Sequence, residues 1–250
     1  VCLIAWNWQP ESETPLLLLA NRDEFYTRPT LPLHWWDDGR ILAGQDLQAG
    51  GTWLGVSRSG RLAAITNYRL STLNAGTKPS RGALVSDFLT GIESAQSYLE
   101  SLIRRADAFN PFNLLVFDGQ RFMGLESRSK RVLEIRPGLG AVSNADFDTP
   151  WPKLVRLKIG LQKRIHLGQI DTPHLLPLLQ DPSRPDDTEL PSTGVPLELE
   201  RMLSATFVSS QHYGTRACSI VRLSHRQFSF FEHCCGAQGV LGQSKEFFRL

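Results

Sequence analysis

Position 2 is a cysteine, one of only four in 250 residues. A thiol this near a chain start opens one particular chemistry. When processing leaves Cys2 as the first residue, thiol and α-amine share one carbon. The amine, with an ordinary pKa of about 7.7–8.0, then serves as the thiol's own general base for attack on a carbonyl. Val1 stands before Cys2, so this chemistry requires its removal. The competing reading makes Cys2 a small apolar residue that starts a strand. In an extended chain Cys2, Ile4, Trp6 and Trp8 share one face.

The next polar group is Asn21-Arg22-Asp23-Glu24, directly after the apolar run 16–20. A guanidinium beside a thiol favours the thiolate, and a carboxylate can orient an ammonium. Adjacent side chains of a strand point to opposite faces. Arg22 and Asp23 therefore cannot both address Cys2 unless the backbone leaves the strand, and Glu24 is the rival carboxylate on the Arg22 side. A surface salt-bridge cluster would use the same residue types. Asn67 and Asn144 each close an apolar strand, where an amide either donates to an oxyanion or forms a turn. Arg216, in Tyr213-Gly214-Thr215-Arg216, can bind a substrate carboxylate or cover a sheet edge. Trp35, Trp36, Trp53 and Trp151 suit either an acyl pocket or the core. His233-Cys234-Cys235, with His212, Cys218 and His225, matches no metal-ligand spacing, so neither a metal nor another cofactor is predicted. The glycine-rich segment 44–60 leads into strands, not a helix, which removes the phosphate-loop reading.

These residues need elements to hold them. Apolar runs predict strands at 1–8, 16–20, 41–42, 52–56 and 62–66, with a long loop at 21–38 that carries Pro29 and Pro32. Helical spacing follows at 84–92 and 95–103. Strands return at 113–117, 122–126, 132–135 and 140–143, and Leu154, Leu157, Leu161 and Ile165 mark a helix over 152–166. Residues 167–200 hold six of the chain's 15 prolines and read as a short helix inside an irregular, lid-like excursion. Strands at 206–209, 217–223 and 227–232 end the pattern, with a turn at 224–226. Strands and helices in separate groups predict α+β with mainly antiparallel sheets, and no linker divides residues 1–250, so one domain is expected.

The motif path resembles the NRDE, or Transport and Golgi Organization 2, family. It runs through Cys2, Asn21-Arg22-Asp23-Glu24, Gly51-Thr52-Trp53-Leu54-Gly55, Asn67-Tyr68-Arg69, Ser80-Arg81-Gly82, Phe112-Asn113-Leu114-Leu115, Ser143-Asn144, Pro150-Trp151-Pro152-Lys153 and Tyr213-Gly214-Thr215-Arg216. That family is similar to N-terminal nucleophile hydrolases, the cysteine-type acylases that include penicillin V acylase and bile salt hydrolase. The resemblance implies a four-layer αββα sandwich. It casts Cys2 as nucleophile, Arg22 and Asp23 as its activators, and Asn67 and Asn144 as oxyanion donors. Arg216 becomes a further substrate contact, with Trp53 and Glu24 beside it. The acylases separate their Arg and Asp by two residues, whereas here the two are adjacent.

With 27 Lys+Arg against 25 Asp+Glu and no basic run, nothing recommends a nucleic-acid partner. No apolar stretch reaches the roughly 20 residues of a bilayer span, and the opening lacks a basic flank, so a cytoplasmic protein is expected. Two functions follow. One is an N-terminal-cysteine amidohydrolase acting on a non-peptide C–N amide of a small acyl ligand. The alternative, also implied by the family, is a non-catalytic carrier of a lipid-like or haem ligand. No Cys-x-x-Cys-His attachment motif is present, so haem would be held non-covalently.

Overall fold

The computed structural model describes residues 2–69, 78–224 and 227–250. Val1, His225 and Arg226 lie outside the described residues. The strand β1 (Cys2–Trp8) pairs on one side with β2 (Leu16–Phe25) and on the other with β10 (Gly138–Val142). Strands β11 (Tyr213–Ser224), β12 (Gln227–Gly236) and β13 (Gly239–Arg249) extend this sheet beyond β2, all antiparallel, in the order β10-β1-β2-β11-β12-β13. The second sheet runs in simple chain order from β3 (Thr30–Trp35) through β4 (Ile41–Asp46), β5 (Leu54–Ser57), β6 (Leu62–Asn67), β7 (Phe112–Phe117) and β8 (Phe122–Glu126) to β9 (Arg131–Glu134).

The sheets face each other. Ile4, Trp6, Trp8, Leu16 and Leu18 from the first join Val56, Leu62, Leu114 and Phe122 from the second in one buried cluster. Trp6 and Trp8 meet Phe122 at ring distances of 5.8 and 5.7 Å. Helices cover the outer faces. Leu3, Ala5, Leu17 and Leu19 pack under Leu154, Leu157 and Leu161 of α3 (Pro152–His166) and Leu175 and Leu179 of α4 (Thr172–Leu179). Leu84, Phe88, Leu99 and Leu102 of α1 (Gly82–Thr90) and α2 (Ala95–Ile103) seal the other side. Covering both faces explains why β1 and β2 read as continuous apolar runs and not as alternating ones. The result is the expected α+β, four-layer αββα sandwich. Among the described residues, no helix is long and apolar enough to cross a membrane.

Several local expectations need correction. Residues 21–38 are not a long loop. β2 continues through Phe25 because β1 and β11 pair with it from both sides, and β3 forms after a short turn. Non-local pairing overrides the polar composition here. Pro32 is accommodated on an edge strand, within the register shift between Leu31 and His34. The stretch 167–200 supplies α4, a short 3-10 turn (Asp187–Glu189) and most of α5 (Leu197–Leu203). Residues 206–209 contribute only an isolated bridge, Ser209 to Gly214. β13, at the far edge of the first sheet, carries no strand signal in the sequence reading.

The glycine motif after β4 has a steric reason. A Cβ on Gly51 would stand 2.4 Å from the Gly82 carbonyl carbon, and the Thr52 N–H donates to the Gly82 carbonyl at 3.3 Å. This close approach seats the start of α1 against the Gly51–Thr52 backbone. Gly51→Ala is therefore expected to lower stability by about 1–3 kcal/mol through overpacking, read as a lower urea midpoint with an unchanged slope.

Candidate functional site

The register of the central strands builds the site. Cys2 lies directly opposite Arg22 across the β1–β2 ladder, so both side chains leave the same face of the sheet. They open onto a cleft of about 420 Å³ that Asp23, Glu24, Asp46, Trp53, Asn67 and Arg81 also line. The Arg22 guanidinium lies over the Trp53 ring at 4.2 Å. It donates to Thr30 Oγ1 and to Asp46 Oδ2, each at 3.1 Å, while Glu24 Oε2 is 4.0 Å away. Asp46 thus holds the Arg22 fork, a role the sequence reading did not assign.

β2 stays extended through the motif, so Asp23 turns its carboxylate to the helix side of the sheet. There Oδ1 accepts from Thr215 Oγ1 at 2.7 Å. Asp23 still reaches Cys2 by another route, since its backbone N–H faces the thiol. Adjacent residues therefore flank Cys2 by different means, one through a guanidinium and the other through a main-chain donor. Behind Asp23 sits Lys153, fully buried, whose Nζ makes no hydrogen bond among the described residues. Lys153 stands four and eight residues before Leu157 and Leu161 on the buried stripe of α3. A charged residue at that spacing was the available signal for it.

Burial sets the titration of this cluster. It pushes the Cys2 thiol up, a shift that the Asp23 charge reinforces and the Arg22 charge opposes. It also raises the Asp23 carboxyl against the pull of Lys153, and it draws Lys153 down to about 8 despite Asp23. A protonated thiol at neutral pH needs a base before it can attack.

Asn67 closes β6 and lines the cleft. Asn144 does not line it. Its Nδ2 donates to the Asn67 carbonyl at 2.7 Å, and its own carbonyl accepts from the Arg69 N–H at 2.7 Å. Ser143 Oγ beside it donates to the Cys2 carbonyl at 3.0 Å. Arg216 spends its guanidinium on main-chain carbonyls, with Nη1 at 2.9 Å from Phe25 O and 3.0 Å from Arg28 O. It borders a second cavity of about 190 Å³ with Leu31, Pro32 and Leu241, and this cavity shares Arg22 and Trp53 with the cleft. Trp151 packs into the helix-side core, and Trp35 meets Phe248 at 5.0 Å. No cluster of three His, Cys, Asp or Glu suited to a metal occurs among the described residues.

Asp46 gives the site an acid-dependent component. Burial alone would raise its carboxyl, but the Arg28 hydrogen bond and charge, with the Ala49 N–H and the Arg22 charge, hold it below its ordinary value. A depressed carboxylate stabilises the fold above its unfolded pKa, and that contribution is lost as pH falls through the folded one. Asp46→Asn should thus lower stability by about 1 kcal/mol near pH 6. The gap to the native chain should narrow in thermal melts as pH falls below the ordinary aspartate value of 3.8.

The four-layer αββα sandwich recurs in solved structures of other proteins. A conjugated bile acid hydrolase from Clostridium perfringens superposes with a TM-score of 0.54, covering 100% of this chain and 92% of its own. At 10% identity, that likeness speaks for the fold alone. The chain belongs to the Transport and Golgi organisation 2 family, whose model matches residues 1–236. Transport and Golgi organization protein 2 homologs from Bos taurus and Homo sapiens are each 32% identical, over 243 and 248 residues, with 88% of both chains covered in each case.

Proposed function

We propose that the protein is an N-terminal-cysteine amidohydrolase that cleaves a non-peptide C–N bond of a small acyl amide. The observation that carries this reading is the register of Cys2 against Arg22 at the mouth of a cleft that Asn67 also lines. In the proposed cycle, removal of whatever precedes Cys2 frees its α-amine. The amine takes the thiol proton, and sulfur bonds to the amide carbon as the carbonyl electron pair moves to oxygen. The Asn67 amide donates to that oxyanion. Collapse breaks the C–N bond, and the α-ammonium gives its proton to the departing amine. The free amine then deprotonates water, whose attack breaks the thioester and returns the thiol. Arg22 supplies positive charge beside the forming thiolate, and Asp46 and Trp53 hold it in place.

Intact mass measurement tests this. The processed chain, beginning at Cys2, should gain one acyl mass from an activated acyl ester, and the adduct should decay on standing. A chain that retains the residue before Cys2 should gain none. Equal labelling of both forms would overturn the terminal-amine mechanism.

A further inference from the structure

The cleft beside Cys2 carries more positive charge than its own carboxylates match. On one wall, Arg22 and Arg28 both meet Asp46 Oδ2, at 3.1 and 2.6 Å, and Glu24 Oε2 lies 4.0 and 3.8 Å from the same two groups. Two cations there face two carboxylates. Asp23, the third acid of the lining, has Lys153 as its strongest charge partner among the described residues, on the helix side.

Lys78 and Arg81 line the same cleft, and neither forms an ion pair among the described residues. Lys78 Nζ donates to the Asp107 and Phe109 carbonyls at 2.8 and 3.1 Å, which leaves one of its three donors over. Arg81 Nη1 donates to the Pro111 carbonyl at 3.2 Å, and the rest of its planar fork makes no further hydrogen bond among the described residues. Arg81 is half-buried, and burial draws it below its ordinary value while the Cys2 and Glu24 charges oppose. A guanidinium held partly out of water with most of its donors unspent is arranged for bidentate capture of an anion. Its position on the lining with the nucleophile makes a substrate group the natural occupant.

We infer that the substrate is an anionic amide, with a carboxylate or phosphate near the scissile bond that Arg81 and Lys78 hold. This rests on the amidohydrolase reading and narrows it. A neutral amide would leave both cations without a counter-charge as it displaced water from the cleft, so the pair discriminates against neutral ligands as well as for anions.

Four probes test it: N-hexanoylglycine, N-hexylsuccinamate, N-hexanoyl-2-aminoethyl phosphate and the neutral N-hexanoylethanolamine. Titrated calorimetrically into the inert Cys2→Ala chain, at least one anionic probe should bind about tenfold or more tightly than the neutral one, the worth of one charge-assisted pair. Which one separates carboxylate from phosphate, and acyl-side from amine-side placement. The preference should shrink with added KCl, and both Arg81→Met and Lys78→Gln should reduce it. Lys78 is exposed, so its variant remains informative even if Arg81→Met folds poorly. Equal binding of all four probes, or a preference that survives both variants, overturns the inference. Anion-selective binding without turnover by the native processed chain would instead count against the amidohydrolase reading and leave the anion site standing.

Discussion

Cys2→Ala is expected to abolish acyl-adduct formation and to lower amide turnover by at least about 10³-fold, because Cys2 is the only thiol lining the cleft among the described residues and the proposed intermediate is its thioester. The other cysteines do not substitute for it. Cys218 is sealed in the helix-side core, and Cys234 and Cys235 border the second cavity, not the cleft. Asn67→Ala should behave differently. It should keep the adduct but slow its formation by about 10²–10³-fold, the usual loss of one oxyanion donor. Stability separates a catalytic effect from a folding one. Cys2 packs at the strand end beside a cavity, so its truncation should change unfolding free energy by no more than about 1 kcal/mol. A Cys2→Ala chain that still takes up the acyl group would remove Cys2 from the mechanism.

Glu200→Ala is expected to cost about 3–5 kcal/mol, the largest stability effect of any single change considered. Glu200 Oε2 accepts from Arg69 Nη1 at 2.6 Å, and both side chains are only 5% exposed. Its Oε1 also accepts from Thr193 N–H at 3.0 Å, which ties α5 to the preceding segment. Burial draws Arg69 below its ordinary value, and Glu200 provides the main opposing charge, with Asp23 a smaller one. Deleting the carboxylate leaves a guanidinium under the sheets whose Nε and Nη2 already lack hydrogen bonds among the described residues. At about 2–4 °C per kcal/mol for a chain of this size, the melting temperature should fall by about 10 °C. Replacing both partners, Arg69→Met with Glu200→Leu, should recover most of the loss, since the penalty belongs to the stranded charge. A single Glu200→Ala shift below about 2 °C would show that water reaches Arg69 and would refute this account. The Arg69 N–H also anchors Asn144, which in turn holds Asn67. The single variant should therefore also slow acylation.

Much of the fold was legible because its strands are apolar runs and its helices keep regular stripes. β1, β6, β7 and α3 follow those patterns within a residue or two. The failures lie where distant pairing decides. Residues 21–25 look like a polar loop but continue β2, because Cys2 and Ala217 bracket Arg22 from two strands. β13 is exposed along much of its length, so it offers no clear alternation to read. The proline-rich stretch was read with one short helix, whereas it holds α4 and the start of α5, which tertiary packing of Leu175, Leu179 and Leu203 supports.

For the site, the sequence by itself determined the candidate nucleophile, the guanidinium beside it and the family that joins them. It also determined that Arg22 and Asp23 would face opposite ways if the strand continued, since a period of two leaves no other choice. Only the tertiary structure decided that the strand does continue and that Asp23 approaches Cys2 through its backbone. It likewise decided that Asn67 lines the cleft while Asn144 holds Asn67 from behind. Asp46, Arg81 and Lys153 come from segments about 20 to 130 residues away from the motif they serve. Their roles depend on which side chains two facing sheets bring together, and local spacing carries no record of that.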